Sequence, residues 1–159
     1  GPSTIPTLTT CTRVKDFKKY RLEVKPSTKN WLMKDLPRWL FLLSYSKIYF
    51  SKKTTAVYRI LEESASNTNN LEKHLDFSKS ANDIRNYFTQ KHGLKEIFWD
   101  KQSAIFNFYI KKLKKDLNNK EKDKAITAYK GIKSKSKKQK IFRFLLDHPL
   151  LLQITKKFW

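Results

Sequence analysis

Apolar residues recur at three- and four-residue intervals along most of this chain, which is the spacing of one face of an α-helix. The clearest such helix begins at Asp100 or Ser103, and its apolar face carries Phe106, Tyr109, Ile110, Leu113 and Leu117. Segment 13–25 fits two patterns. Helical spacing occurs at Val14, Phe17 and Tyr20, whereas strand-like alternation occurs at Tyr20, Leu22 and Val24, so the pattern leaves this segment open.

Residues that begin or end helices divide the first two thirds of the chain. Asp35 stands before Leu36 and Pro37, and this start predicts a mostly buried helix that runs to about Phe50. A second helix is predicted after Thr54 or Thr55, with an apolar stripe at Val57, Ile60 and Leu61. Both helices lie before the polar stretch 64–70, which predicts a flexible loop.

The middle of the chain carries one further start signal and one stop signal. After a short turn with Leu71 and Leu75, the segment Ser80–Asp83 resembles a capping box. It predicts a helix whose apolar positions are Ile84, Tyr87 and Phe88. Gly93 predicts a left-handed end to that helix, because glycine adopts positive φ at little cost.

The last third alternates helical pattern with strongly basic segments. Ala125, Ile126 and Tyr129 continue a helical pattern until Gly131, and the apolar-free segment 133–140 predicts a flexible basic loop. Two short helices follow, separated at Asp147-His148-Pro149. The first carries Ile141, Phe142, Leu145 and Leu146, and the second carries Leu151, Ile154 and Phe158.

These patterns predict an all-α fold, a single compact domain of about six or seven helices with a basic loop near the C-terminal end. The domain is expected over residues 13–159, after a loose leader at 1–12 in which Gly1-Pro2-Ser3 resembles the remnant of a cleaved expression tag. An all-β fold would need more turn glycines than the three that the 159 residues contain.

The charge distribution gives information about the binding partner. The chain has 35 basic and 14 acidic residues, a net charge of +21. Residues 111–140 hold 13 basic and 3 acidic groups, residues 1–60 hold the same numbers, and residues 61–110 are nearly neutral. Such clustering indicates a polyanionic partner. Because 29 of the basic residues are lysine, phosphate contacts are better supported than base-specific contacts.

The basic residues form two candidate anion-binding groups, interleaved with aromatic side chains. The C-terminal group comprises Lys111, Lys112, Lys114, Lys115, Lys130, Lys133, Lys135, Lys137, Lys138 and Lys140. The N-terminal group comprises Arg13, Lys15, Lys18, Lys19, Arg21 and Arg38. Candidate aromatic residues for base stacking or membrane insertion are Trp31, Phe158 and Trp159. Core packing is the favoured explanation for Trp31, and docking of a terminal helix is the favoured explanation for Phe158 and Trp159.

No motif indicates catalysis, a cofactor or a metal. A single cysteine, Cys11, excludes an internal disulfide and a multi-cysteine zinc site. His74, His92 and His148 stand without a paired base or nucleophile. The acidic residues Glu62, Glu63, Glu72 and Asp76 are interpreted as a solvated surface. The chain is therefore expected not to be an enzyme.

The favoured hypothesis is binding of nucleic acid, DNA or RNA, through phosphate contacts of the two basic groups. The first alternative is a peripheral module for phosphoinositide-rich or other anionic membrane. The second is an interaction domain for an acidic protein. A soluble or peripheral protein is expected, since the most apolar run, 36–50, is too short and too charged to cross a bilayer. The single cysteine favours a reducing location inside the cell.

Overall fold

The computed structural model describes residues 9–49, 51, 53–54, 56–57, 68–148 and 151. These residues contain six α-helices and no strand, so the all-helical prediction is confirmed. The helices are α1 (Val14–Val24), α2 (Leu36–Leu43), α3 (Leu71–Lys91), α4 (Lys101–Lys115), α5 (Asn119–Lys130) and α6 (Lys137–Asp147).

The chain forms two compact units, each with its own apolar core. Unit 1 comprises Gly1–Asn67 and Phe77–Phe98, and unit 2 comprises Thr68–Asp76 and Trp99–Trp159. The core of unit 1 is built from Tyr20, Val24, Trp39, Phe41, Leu42, Ile84 and Phe88. The core of unit 2 is built from α4, α5, α6 and Ile132, with Phe106 and Leu146 among its most deeply buried side chains. The proposed domain bounds, 13–159, stay a prediction.

The ambiguous segment 13–25 forms a helix, α1. Tyr20 and Val24, which are one helical turn apart, are both buried, whereas Leu22 between them is exposed. A strand would have placed all three on one face. The Tyr20 ring lies 5.7 Å from the Phe41 ring of α2, measured between centroids. This packing within unit 1 stabilises the helical conformation of α1.

Helix α2 begins as predicted but ends early. The Asp35 carboxylate accepts a hydrogen bond from the Leu36 N–H at 2.9 Å, which marks the expected start. The predicted end near Phe50 is wrong, because the chain turns at Ser44. The Ser44 hydroxyl donates to the Phe41 carbonyl at 2.7 Å, and the Ser44 N–H also bonds to that carbonyl, at 3.2 Å. This tight final turn ends the helix.

The next predicted helix falls largely outside the described residues. Thr54 and Val57 are described and lie outside any helix, and Val57 is 91% exposed. The predicted start at Thr54 is therefore wrong. Thr55, Ile60 and Leu61 lie outside the described residues, as does most of the predicted loop 64–70.

Helix α3 is continuous, so its predicted start at the Ser80 capping box is wrong. The helix begins ten residues earlier than that box suggests, because the Asn70 side-chain oxygen accepts a hydrogen bond from the Lys73 N–H at 3.0 Å and caps it there. Ser80 is buried inside the helix, and its hydroxyl accepts a hydrogen bond from the Leu32 N–H at 2.9 Å. The serine therefore secures another segment of unit 1 instead of a helix end.

Gly93 ends α3 as predicted. Its φ is +63°, in the left-handed region. The Gly93 N–H donates to the Gln90 carbonyl at 3.1 Å, and the Leu94 N–H donates to the Thr89 carbonyl at 2.7 Å. These are the two hydrogen bonds of a Schellman C-cap, which favours glycine at this position.

We expect Gly93→Ala to lower the free energy of unfolding by about 1 kcal/mol, because a Cβ disfavours left-handed backbone. A Cβ at this position would meet no atom within 4 Å, so the loss would report backbone conformation without a clash. Gly93→Asn should lose less, since asparagine tolerates the left-handed region better. Urea denaturation measures both variants, and equal losses would contradict the explanation.

Asp100, one of the two predicted starts, is the N-cap of α4. The Asp100 Oδ1 atom accepts hydrogen bonds from the N–H groups of Gln102 and Ser103 at 2.9 and 3.1 Å. The predicted apolar face is buried at Phe106, Tyr109, Ile110 and Leu113. Leu117 lies beyond the end of the helix at Lys115 and is exposed, so its assignment to this face was wrong.

Helices α5 and α6 shorten the predicted basic loop. Gly131 is the C-cap of α5, as the predicted end indicated, and α6 begins at Lys137 with a capping box formed by Ser136 and Gln139. Residues 137–140, predicted as loop, are therefore helical. The predicted break after α6 is present at His148. Ile141, predicted in the core stripe, is 59% exposed, because Phe142, Leu145 and Leu146 occupy the buried face.

Candidate polyanion-binding surfaces

Four of the predicted anion-binding lysines crowd the last turns of α4: Lys111, Lys112, Lys114 and Lys115. Their side chains have different neighbours. The Lys112 ammonium forms an ion pair with Glu121 of α5 at 3.2 Å. Lys114 Nζ lies 5.4 Å from the centre of the Phe142 ring of α6, and Lys115 is exposed. Lys112 and Lys114 therefore contact other groups of unit 2, and the anion-binding role of the four lysines stays a prediction.

Lys114 and Lys138 converge from two helices on the same ring. Their Nζ atoms lie 5.4 and 5.7 Å from the centre of Phe142. Burial lowers the pKa of Lys114 below its ordinary value, and the like charge of Lys138 lowers it further. Burial also lowers the pKa of Lys111, with a smaller contribution from Lys115. An anion beside these groups would offset the repulsion, so the local charge arrangement favours anions.

His74 lies next to this lysine group in unit 2. Its ring centre is 5.3 Å from that of Phe108. Burial lowers the pKa of His74, the positive charge of Lys111 lowers it further, and a backbone hydrogen bond at Ala104 acts in the opposite direction. The imidazole is therefore mainly neutral at pH 7.

We expect the free energy of unfolding to fall as the pH falls below 6.5, the ordinary pKa of histidine. Because the folded-state pKa of His74 is lower than the unfolded-state value, the unfolded chain binds the proton more readily in that window. His74→Gln should remove part of this pH dependence. Urea denaturation at successive pH values measures it, with His92→Gln as the matched control. An unchanged pH dependence in His74→Gln would contradict the assignment.

Side chains of α4 and α6 hold the segment that joins α5 to α6. Asp100 Oδ2 accepts a hydrogen bond from the Lys133 N–H at 3.0 Å, while Oδ1 caps α4. Gln139 Nε2 donates to the Ser103 hydroxyl at 2.6 Å, and Gln139 Oε1 accepts a hydrogen bond from the Ser136 N–H at 2.9 Å. These bonds fix the backbone from which the lysines of this region project.

Five predicted binding lysines are exposed in this part of unit 2: Lys130, Lys133, Lys137, Lys138 and Lys140. Lys135 differs, because its Nζ donates to the Ile132 carbonyl at 2.8 Å and lies 5.3 Å from the centre of the Tyr129 ring. Lys135 therefore helps to hold the segment. Its replacement would mix a structural effect with any effect on binding.

Helix α1 carries most of the N-terminal basic group. Exposed side chains at and after its start are Arg13, Lys15, Lys18, Lys19 and Arg21. Glu23 offsets some of this charge, since its carboxylate lies 3.8 Å from Lys19 and 3.2 Å from Lys91. Arg38 is half-buried, and its guanidinium carbon lies 4.6 Å from the centre of the Trp39 ring. Arg38 therefore contributes to packing in unit 1, and its anion-binding role stays a prediction.

The aromatic candidates have different positions. The Trp31 ring packs edge-on against Tyr87 at 5.4 Å between centroids, and Lys29 Nζ lies 4.4 Å from the Tyr87 ring centre. Trp31 is half-buried against the core of unit 1. Phe158 and Trp159 lie outside the described residues.

Phe144 is an aromatic candidate that sequence reasoning missed. It lies on α6 and is 54% exposed. The His148 ring stacks on it with centroids 4.2 Å apart and planes 29° apart. Helical spacing places Lys137, Lys140 and Ile141 on the same side of α6 as Phe144, and we call these four residues the outer face of α6. The spacing was visible in the sequence, but Phe142 and Leu145 offered a competing apolar face.

The remaining chemical groups have structural or surface positions. In the described part of the chain, no three side chains of histidine, cysteine, aspartate or glutamate are grouped to hold a metal ion. The His148 Nδ1–H donates to the Phe144 carbonyl at 2.9 Å near the end of α6. Glu72 and Asp76 are exposed, Cys11 is a free exposed thiol, and Glu62 and Glu63 lie outside the described residues.

Comparisons with protein families, curated proteins and solved structures find no match to this chain. Among the helices of the described ranges, none combines the length and apolarity needed to cross a membrane. The interpretation of the two basic surfaces therefore rests on their own residues.

Proposed function

We propose that this chain binds nucleic acid, without catalysis, through phosphate contacts of the exposed lysines of unit 2. The basic residues of α1 supply a second contact surface. The many lysines favour backbone phosphates over base edges, so the affinity is expected to depend little on sequence and strongly on salt.

The observation that carries this proposal is the bonding of three carboxylates of unit 2, those of Asp100, Glu121 and Asp147. Asp100 accepts backbone hydrogen bonds, Glu121 pairs with Lys112, and Asp147 pairs with Arg143. These three carboxylates are thus bonded to groups other than the exposed ammonium groups of Lys130, Lys137, Lys138 and Lys140. Segment 130–140 keeps a concentrated positive charge, which is the electrostatic footprint of a polyanion-binding site.

An anionic membrane is the second candidate, and the outer face of α6 favours it. Ile141 and Phe144 are exposed beside Lys137 and Lys140. Apolar and cationic side chains on one helix face suit the interface of a phosphoinositide-rich bilayer. The same arrangement suits a single-stranded nucleic acid, so the two partners must be distinguished by experiment.

A competition assay tests the proposal. The full chain is titrated with labelled single-stranded and duplex DNA at increasing salt, and phosphoinositide-containing liposomes are added as competitor. We expect the protein to keep the nucleic acid bound in the presence of liposomes, with an affinity that falls steeply as the salt concentration rises. Displacement of the nucleic acid by liposomes at physiological salt would favour the membrane, and failure to bind either polyanion would overturn the proposal.

A further inference from the structure

Phe144 and His148 form a two-ring stack at the surface of α6. The rings are stacked, with centroids 4.2 Å apart and an interplanar angle of 29°. Phe144 is 54% exposed although His148 covers part of its ring, and His148 is itself exposed. The exposed area of Phe144 is therefore available to a further flat group that extends the stack.

The buried face of α6 does not need Phe144. Phe142, Leu145 and Leu146 are each less than a tenth exposed, and they join the core of unit 2. Phe144, on the opposite side of the same helix, stays more than half exposed and does not belong to that core. Its position beside exposed lysines points to a role in binding an anionic ligand.

Lys140 precedes Phe144 by one helical turn, and Lys137 precedes Lys140 by nearly one turn. Residues three or four apart on a helix are neighbours on its surface. Both lysines are exposed. The outer face of α6 thus places two cations next to an exposed aromatic ring, which is the combination used by proteins that bind single strands through phosphates and stacked bases.

We propose that Phe144 stacks on an unpaired base while Lys140 and Lys137 contact phosphates of the same strand. This inference rests on the proposed nucleic-acid binding and adds a preference for single strands over duplex. The bases of a duplex are stacked on each other and present no free ring face, whereas the bases of a single strand do. Every base has a flat face, so the contact tolerates any sequence.

The test measures binding of the full chain to a short oligo(dT) and to a phosphodiester strand of the same length without bases. Phe144→Leu keeps an apolar side chain but removes the ring, and Phe144→Trp keeps a ring. Phe144→Leu is expected to bind oligo(dT) about 5- to 140-fold more weakly, the range that base–aromatic stacking gives. It should bind the strand without bases as the unchanged protein does, and Phe144→Trp should retain oligo(dT) binding.

Several outcomes would overturn the inference. One is undiminished oligo(dT) binding by Phe144→Leu, and another is an equal loss on the strand without bases, which would indicate a general structural effect. Both variants must be folded, so thermal unfolding is measured on each. A third outcome against stacking concerns Phe144→Trp: the fluorescence of the added tryptophan does not change when oligo(dT) binds. Preference of the protein for phosphatidylserine vesicles over oligo(dT) would assign the ring to a membrane.

The outcomes also separate this inference from the proposed function. If stacking fails while the salt dependence of DNA binding persists and responds to lysine replacement, phosphate binding stands and the single-strand preference falls. If neither DNA form binds, the proposed function falls and the inference falls with it.

Discussion

We expect the salt dependence of DNA binding to become weaker when four lysines are replaced together by glutamine: Lys130, Lys133, Lys137 and Lys140. The slope of log K against log salt concentration should decrease in magnitude by up to about 3.5. Each lysine that neutralises a phosphate contributes about 0.9 to this slope on duplex and about 0.7 on a single strand. All four side chains are exposed, so the replacement should leave the fold intact. Fluorescence titrations at several salt concentrations measure the slope.

A matched variant separates site charge from net charge. Lys73, Lys79, Lys95 and Lys101 are also exposed, and they lie in the nearly neutral part of the chain. Replacing these four by glutamine removes the same charge and should change the slope much less. Equal effects of the two variants would show that the chain attracts DNA through its overall charge, and the assignment of a binding surface to unit 2 would be wrong.

Helix positions were predictable where local chemistry decides them. Asp35 and Asp100 cap the helices that they were predicted to start, and Gly93 adopts the left-handed conformation predicted for it. The errors arose where tertiary contacts decide. Ser80 has the residue type of a helix cap, but its hydroxyl bonds to the backbone of Leu32, which is distant in sequence.

The candidate site was predictable in composition but not in geometry. Counting charge located the lysines of segment 111–140, yet spacing could not show that Lys112 pairs with Glu121 or that Lys135 bonds to a backbone carbonyl. Phe144 was missed for a similar reason. Helix α6 has apolar residues on two sides, and only the packing of Phe142 against unit 2 shows which side is exposed.

The core of unit 2 should respond to a single truncation more strongly than any surface of the protein. Phe106 on α4 is fully buried, and its ring centre lies 5.4 Å from that of Tyr129 on α5. Phe106→Ala is expected to lower the free energy of unfolding by about 3–5 kcal/mol, because it removes buried area and leaves a cavity. That loss is a large part of the roughly 5–15 kcal/mol typical of a folded protein.

Phe144→Ala provides the matched control, since it removes the same atoms from unit 2 at a position that is 54% exposed. Its expected loss is about 1 kcal/mol or less, because little buried area disappears. Urea denaturation of both variants measures the difference. Similar losses of unfolding free energy in the two variants would mean that the buried apolar face of α4 does not stabilise unit 2. A large difference would show that Phe106 stabilises the fold while Phe144 is free to serve a ligand, which is the condition for a ring that binds a base.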